Sequence, residues 1–226
     1  QQALDNARAW ALPRTRMGVI LGHLALPTES ASAYAWQLLG EGRNPAVHPL
    51  NTQVAGLPAA VLGRALQLGG AVYTLDAACA SSLYAIKLAC DELHAHRADA
   101  MLAGGVSRPD CFYTQMGFSQ LRALSPSGRS APFDADADGL VVGEGAGIFV
   151  LRRLSDAVAG GEPILGVIRG IGLSNDIGGK LLAPSSEGQL RAMRAAYAAG
   201  GWRPDQVDLI ECHATGTPVG DAVEFE

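Results

Sequence analysis

Long apolar runs, basic clusters and paired cysteines are all missing from this sequence, and each absence excludes a class of protein. No stretch of about 18 or more apolar residues occurs, so no membrane-spanning helix is expected, and Gln1 to Leu12 lacks the basic start and apolar core of a signal peptide. Charged residues make up 17% of the chain and its formal net charge is -5, with no local Lys/Arg run, which argues against a nucleic-acid-binding face. Arg122, Arg129, Arg152, Arg153 and Arg169 are scattered, and exposed, solvated side chains are expected for most of them. The four cysteines, at 79, 90, 111 and 212, show neither C-x-x-C spacing nor the density of a secreted disulfide framework. A reducing, cytoplasmic setting is the simplest reading. Cys212 and His213 are adjacent, and adjacent residues rarely converge on one ion, so no metal site is expected.

What remains is an apolar, glycine-rich chain. With 226 residues, 48% of them hydrophobic, and 28 glycines, it is long enough for one large or two small domains with a real core and many tight turns. Strand-like and helix-like stretches alternate throughout, which places the fold in the α/β class. Gln1 to Leu12 reads as a helix tail and Met17 to Leu21 as a short strand. Helices are expected from Thr28 to Leu39 and from about Val54 to Leu66, with Pro58 in the first turn of the latter. Val72 to Leu75 reads as a strand, Ala80 to Arg97 as a helix buried almost all round, and Ala100 to Val106 as a further strand, which together make a βαβ unit with a parallel sheet. Lys87, Asp91 and His94 form the polar stripe of that helix, Cys90 packs, and His94 and His96 are expected to meet its carboxyl end. Pro109 to Leu124 is mixed and partly helical. Beyond it, strands are expected in Gly139 to Leu151, Ile164 to Ser174 and Val207 to Glu211, and Ser186-Glu187-Gly188-Gln189 reads as a capping box opening a helix to Ala199. Gly143-Glu144-Gly145-Ala146-Gly147 superficially suggests a dinucleotide loop, but Ile148 stands where the third glycine belongs and a strand follows instead of a helix. His23 and His48 fall in or near loops and are read as structural or solvated.

Two stretches carry chemistry. Cys79 sits where the strand ending at Leu75 gives way to the helix beginning near Ala80, and the unpartnered N–H groups of a helix start favour a thiolate, the nucleophilic form of cysteine. Ala77, Ala78, Ala80, Ser81 and Ser82 around it are small, so a carbonyl can approach. A cysteine is more often a small buried hydrophobe, and that alternative stands beside the nucleophile. The second stretch runs from Glu211 to Asp221. His213 there is placed to project into a cleft as an oxyanion donor or base, and Thr215 and Thr217 offer hydroxyls beside Gly216, although a threonine-rich turn can also simply satisfy its own backbone.

Asp76-Ala77-Ala78-Cys79-Ala80-Ser81-Ser82, the Gly143–Gly147 run preceded by Pro132-Phe133-Asp134, and His213-Ala214-Thr215-Gly216-Thr217-Pro218-Val219-Gly220-Asp221 occur in the order and at the separations found in the β-ketoacyl synthases (ketosynthases) of fatty acid and polyketide assembly, which this sequence resembles along nearly its whole length. The resemblance implies a thiolase-like fold with αβαβα layers, present in part, and a homodimer. It implies that Cys79 accepts the acyl group, that His213 is the first of two catalytic histidines, that Thr215 and Thr217 bind a phosphopantetheine arm, and that Phe118 gates the acyl pocket; ordinary core packing is the other reading of Phe118. The implied reaction is acyl transfer from an acyl carrier protein to Cys79, then decarboxylation of a carrier-bound malonyl unit whose carbanion attacks the thioester. No intrinsic cofactor is implied, since the carrier's phosphopantetheine arm brings the substrates.

Against the family pattern, the chain lacks the usual opening strand and helix, and it stops at Glu226 before the second histidine, the lysine and the glycine-rich oxyanion loop. It therefore reads as residues 1–226 of a partial ketosynthase domain, an N-terminal half followed from about residue 164 by the start of the C-terminal half, and it is not expected to complete condensation. Ala80, Leu83-Tyr84-Ala85-Ile86-Lys87 and Cys212 are more similar to iterative, polyunsaturated-fatty-acid-type synthases than to modular ones. A non-catalytic chain-length partner and a Cys-His thioester hydrolase are the alternatives, and the presence of Cys79 counts against the first.

Overall fold

The computed structural model describes residues 1–24, 56–107, 112–178 and 184–226. The helix expected from Thr28 to Leu39 and the loop reading of His48 lie outside these residues. The chain divides into two compact units, one formed by Gln1–Cys111 with Glu144–Gly166 and the other by Phe112–Gly143 with Val167–Glu226.

The first unit is built on a four-stranded sheet. Its elements are helix α1 (Gln2–Asn6), strand β1 (Met17–Gly22), helix α2 (Leu57–Leu66), strand β2 (Val72–Leu75), helix α3 (Ser81–His94), strand β3 (Ala100–Ser107), strand β4 (Gly145–Leu151) and helix α5 (Leu154–Ala159), with helix α4 (Phe112–Gln120) intervening in the other unit. The strand order is β2-β1-β3-β4, in which β1 pairs parallel with both β2 and β3, and β4 is antiparallel to β3. The expected βαβ unit is therefore present, with β1 inserted between its two strands.

Side-chain alternation sorts the core into two layers. Met17, Val19 and Leu21 of β1 and Ala100 and Leu102 of β3 face one side, where they pack with Leu4, Ala9 and Ala59. Ile20, Met101 and Ala103 face the other and pack with Ala85, Ala89 and Leu93 of α3. Every residue of β1 is buried, as expected for a parallel strand covered on both faces. Pro58 lies in the first turn of α2, where its missing N–H leaves no helical bond unmade. The Gly143–Gly147 run leads into β4, with Gly147 opposite Gly105 of β3, so it is a close strand pairing and not a phosphate loop.

Helix α3 is less enclosed than its composition suggests. Ser81, Ala85, Ala89 and Leu93 are buried at a spacing of four, whereas Leu83 is 62% exposed. The small residues of the buried stripe let the helix lie close on the sheet, and Lys87 and Asp91 pair on the outer side at 2.5 Å. His94 lies in its last turn, and arginines also serve its carboxyl end: Arg153 donates to the carbonyls of Leu93 (2.8 Å) and Ala98 (2.7 Å), and Arg16 donates to that of His96 (2.8 Å). Both arginines also hold Asp99, Arg16 through two bonds of 2.7 and 3.0 Å and Arg153 through one of 2.8 Å. The expectation of solvated arginines fails for Arg152 and Arg153, whose side chains are 15% and 14% exposed and ion-paired with Glu162 and with Asp99 and Asp156. Composition does not reveal this, because several of the groups they hold lie far from them along the chain.

In the second unit α4 is followed by helix α6 (Ser186–Gly200) and helix α7 (Pro218–Phe225). The strands expected at Ile164 to Ser174 and Val207 to Glu211 are not formed: neither segment takes part in a ladder among the described residues. The alternation that suggested a strand is nonetheless used. Gly170 and Gly172 lie directly against the backbone of α6 at Ala192 and Ala196, where a Cβ would collide, and the Ser174 hydroxyl donates to the Gly188 carbonyl at 2.5 Å. One side of the segment meets a helix, whereas a strand also needs a hydrogen-bonding neighbour along its edge. The capping box at Ser186 is also not made. The N-cap is Ser185 without a side-chain bond, its N–H donates to Asp176 (2.7 Å), and Glu187 instead pairs with Arg191 at 2.7 Å.

Asp99 provides a test of the first unit. Hydrogen bonds from Arg16 and Arg153 push its carboxyl well below the ordinary carboxylate range. A depressed folded pKa stabilises the fold above the unfolded value of about 4, and the contribution is lost as pH falls through the folded pKa. Asp99→Asn is expected to lower unfolding stability at pH 7 by about 1 kcal/mol, discounted for screening at a carboxylate that is 34% exposed. Urea unfolding at pH 7 and pH 3 should show the difference from the parent shrinking at the lower pH.

Candidate active site

Cys79 is exposed, with Asp76 and Ala78, in a tight turn between the end of β2 and the start of α3. Ala78 immediately before it has φ 52°, a left-handed conformation that costs a residue with a Cβ about 1–2 kcal/mol. Side chains on both flanks hold it. The Asp76 carboxylate accepts the Ala78 N–H at 2.9 Å; the Ser81 hydroxyl accepts the Ala77 N–H at 2.8 Å and donates to the Ala78 carbonyl at 2.6 Å. Backbone bonds from Ala80 N–H to Ala77 (3.2 Å) and from Ser81 N–H to Ala78 (3.1 Å) close the turn.

The sheet positions this turn. β1 and β2 end in register at Gly22 and Leu75, and Gly22 also pairs with Gly105, so the turn lies at the carboxyl edge of the parallel strands. A Cβ at Gly22 would overlap the backbone of Ser81 and Ser82, and one at Gly105 would come within 2.9 Å of the Ser82 Cβ. Glycine at both positions lets the first turn of α3 rest on the strands. His23 follows on this edge, where its N–H donates to the Leu75 carbonyl at 3.0 Å and its Nδ1 lies 3.0 Å from the Val106 carbonyl oxygen. That bond bears out a structural reading of His23.

The other expected site residues belong to the second unit. His213 is exposed, and Thr215 and Thr217 are half-buried with their hydroxyls 2.9 Å apart. Two carboxylates from α7 hold the loop that carries them. Glu224 accepts the His213 N–H at 2.5 Å through one oxygen and the Ala214 N–H at 2.8 Å through the other. Asp221, only 5% exposed, accepts the Gly216 N–H at 3.1 Å and the Phe133 N–H at 2.8 Å. Ala214 and Gly216 are both left-handed, with φ of 49° and 77°, and the Gly139 N–H donates to the Gly216 carbonyl at 3.0 Å. Pro132-Phe133-Asp134 and the His213 stretch are thus joined through the Asp221 carboxylate. Phe118 is half-buried on α4.

Among the remaining thiols, Cys90 lies part-buried on α3, where burial and then the charge of Asp91 push its pKa up, which suits packing and not catalysis. No cluster of three metal-ligating side chains occurs among the described residues. Sequence reading passed over Ser81, Asp76, Asp221 and Glu224 as functional residues. Asp76, Ser81 and Asp221 lie inside the quoted motifs, but their partners are backbone N–H and C=O groups, which leave no pattern of residue types.

The chain matches two family models end to end, one described as "Beta-ketoacyl synthase, N-terminal domain" over residues 1–157 and one as "Beta-ketoacyl synthase, C-terminal domain" over residues 165–226. It is 46% identical over 165 residues to a phenolphthiocerol/phthiocerol polyketide synthase of Mycobacterium tuberculosis, covering 71% of this chain and 10% of that protein. It is 41% identical over 172 residues to a polyunsaturated fatty acid synthase of a Thraustochytrium species, covering 75% of this chain and 8% of that one. The solved structure of the PfaC keto synthase-chain length factor superposes with a TM-score of 0.86 at 44% identity, over 99% of this chain and 26% of its own. The chain therefore spans about a tenth of the curated relatives it matches and about a quarter of that solved chain. The structural match bears out the α/β, thiolase-like fold expected from the sequence.

Asp221→Ala should leave the buried Gly216 N–H and the part-buried Phe133 N–H without this acceptor, at a cost of about 1–3 kcal/mol. Hydrogen exchange is the direct check, with the amides of Gly216 and Phe133 losing protection in the variant while those of β1 and β3 keep theirs.

Proposed function

Because this chain belongs to the β-ketoacyl synthase family, a family of acyl-transferring condensing enzymes, we propose that it carries the acyl-accepting centre of a decarboxylative condensing enzyme, with Cys79 as nucleophile. The observation that carries this reading is the exposed thiol on a braced, left-handed turn at the start of a 14-residue helix. Aligned N–H groups there favour the thiolate, and the exposed turn leaves room for a thioester carbonyl.

The Cys79 thiolate attacks the carbonyl carbon of an acyl thioester on the phosphopantetheine arm of an acyl carrier protein. The tetrahedral intermediate collapses to the Cys79 thioester and releases the carrier thiol. A carrier-bound malonyl unit then loses carbon dioxide, and the enolate carbon so formed attacks the Cys79 thioester. A carbon–carbon bond forms, the Cys79 sulfur leaves, and the product is a β-ketoacyl carrier protein. His213 donates a ring N–H to the thioester oxygen as it gains enolate charge, a role that its firmly held backbone suits. Thr215 and Thr217 hydroxyls hold the pantetheine arm, and Phe118 gates the acyl pocket. No other cofactor takes part. The partners are the carrier protein and a second copy of the chain in a homodimer. No helix among the described residues is long and apolar enough to cross a membrane, and a cytoplasmic location suits the cysteine usage.

A chain-length partner is the second reading, favoured by the composite name of the solved relative, which includes a chain length factor. Cys79 supports the condensing role over it, because the partner role needs no nucleophile. The test is incubation with an acyl-pantetheine thioester followed by mass spectrometry. One acyl group is expected on Cys79, lost in Cys79→Ala and retained in Cys90→Ala and Cys212→Ala. Hydrolysis without an adduct would favour a hydrolase, and an adduct on another cysteine would remove Cys79 from the centre of the reaction.

A further inference from the structure

The reading of Cys79 as nucleophile leaves open what holds it in a reactive orientation, and the following rests on that reading. We infer that Ser81 is the positioning residue of the site: its buried hydroxyl locks the peptide groups on either side of the Ala77-Ala78 pair and so sets the direction in which Cys79 is presented.

Ser81 is 5% exposed, one of few buried polar side chains in the described structure. Its hydroxyl spends both of its capacities on one turn, accepting from Ala77 N–H at 2.8 Å and donating to the Ala78 carbonyl at 2.6 Å. Those groups enclose Ala77 and Ala78, and Ala78 holds the left-handed φ of 52°. Left-handed alanine persists only where its surroundings over-determine it. Asp76 fixes only one N–H of this turn, from its exposed side, whereas Ser81 grips both a donor and an acceptor from within.

Ser81 is itself fixed. Its backbone presses on Gly22 so closely that no Cβ fits there, and it opens α3, whose N-cap Ala80 makes no side-chain bond. Position is therefore passed from the buried strand β1 to the Ser81 hydroxyl, from the hydroxyl to the Ala77-Ala78 backbone, and from there to Cys79. Alanine at position 81 retains the helix and the contact with Gly22 but removes the hydroxyl. The left-handed Ala78 is then held only by Asp76 and the backbone bonds of the turn, and the direction of the thiol is no longer fixed.

The experiment is iodoacetamide alkylation of Cys79 as a function of pH, followed by peptide mass spectrometry, with a thermal melt on each variant. Ser81→Ala should slow alkylation at pH 7 at least fivefold and move the pH profile to higher pH, and Ser81→Thr, which keeps the hydroxyl, should recover most of the rate. A helix-packing role alone would not move the profile. In an Ala78→Gly background, where left-handed φ carries no penalty, adding Ser81→Ala should cost less than twofold, and this comparison holds even if Ser81→Ala alone unfolds. Equal rates and profiles in parent and Ser81→Ala, or the same loss in both backgrounds, would overturn the assignment. If the parent is acylated at Cys79 yet Ser81→Ala behaves like it, only the role of Ser81 fails; a parent thiol inert to both reagents fails the nucleophile reading as well.

Discussion

The placement of Cys79 in the first unit follows from one close approach, that of the opening turn of α3 to the end of β1. A side chain at Gly22 would occupy the space of the Ser81 and Ser82 backbone, so the strand end and the helix start are in direct contact. Gly105 grants the same access from β3. Because β1 is buried along its length and paired on both edges, this contact is anchored in the least deformable part of the sheet. The connection from Leu75 to Ser81 must then be short, and a short link between a strand and a helix seated on its neighbour forces a sharp turn. Ala78 takes up that turn, and Cys79 is what the turn displays.

The two chemical stretches share a construction although they lie in different units. Cys79 follows a left-handed alanine, and His213 precedes one, with φ of 52° at Ala78 and 49° at Ala214. In each case side-chain oxygens on neighbouring helix and loop positions accept the local N–H groups: Asp76 and Ser81 in the first, Glu224 in the second. Strain of about 1–2 kcal/mol at each alanine is tolerated because those acceptors offset it. In the proposed function the strain has a use, since it fixes the direction of the adjacent Cys79 or His213 without a bulky neighbour that would obstruct substrate.

Much of this is legible in residue order, and what is not has identifiable causes. The βαβ unit, the helix start near Cys79 and the strand nature of the glycine run all follow from periodicity and turn residues, which are local signals. The resemblance to the ketosynthases follows from three motifs in order. The features that escape the sequence are non-local. Arg16, Asp99 and Arg153 meet across 83 and 54 residues of chain, and no pattern marks them as partners. The segments Ile164 to Ser174 and Val207 to Glu211 have strand-like composition, but ladder formation depends on a neighbour that composition does not supply. Ser81 illustrates a third cause: in sequence it is a small residue near Cys79, and only the folded chain reveals a hydroxyl bound to two backbone groups.

The contact between Gly22 and the first turn of α3 is, on this view, what makes Cys79 reactive. The most direct measurement is the rate of Cys79 alkylation in Gly22→Ala, set against Gly56→Ala, where a Cβ would meet nothing within 4 Å. At least a tenfold loss of rate is predicted in Gly22→Ala, with Gly56→Ala unchanged. A folded Gly22→Ala chain whose Cys79 reacts at the parent rate would contradict it.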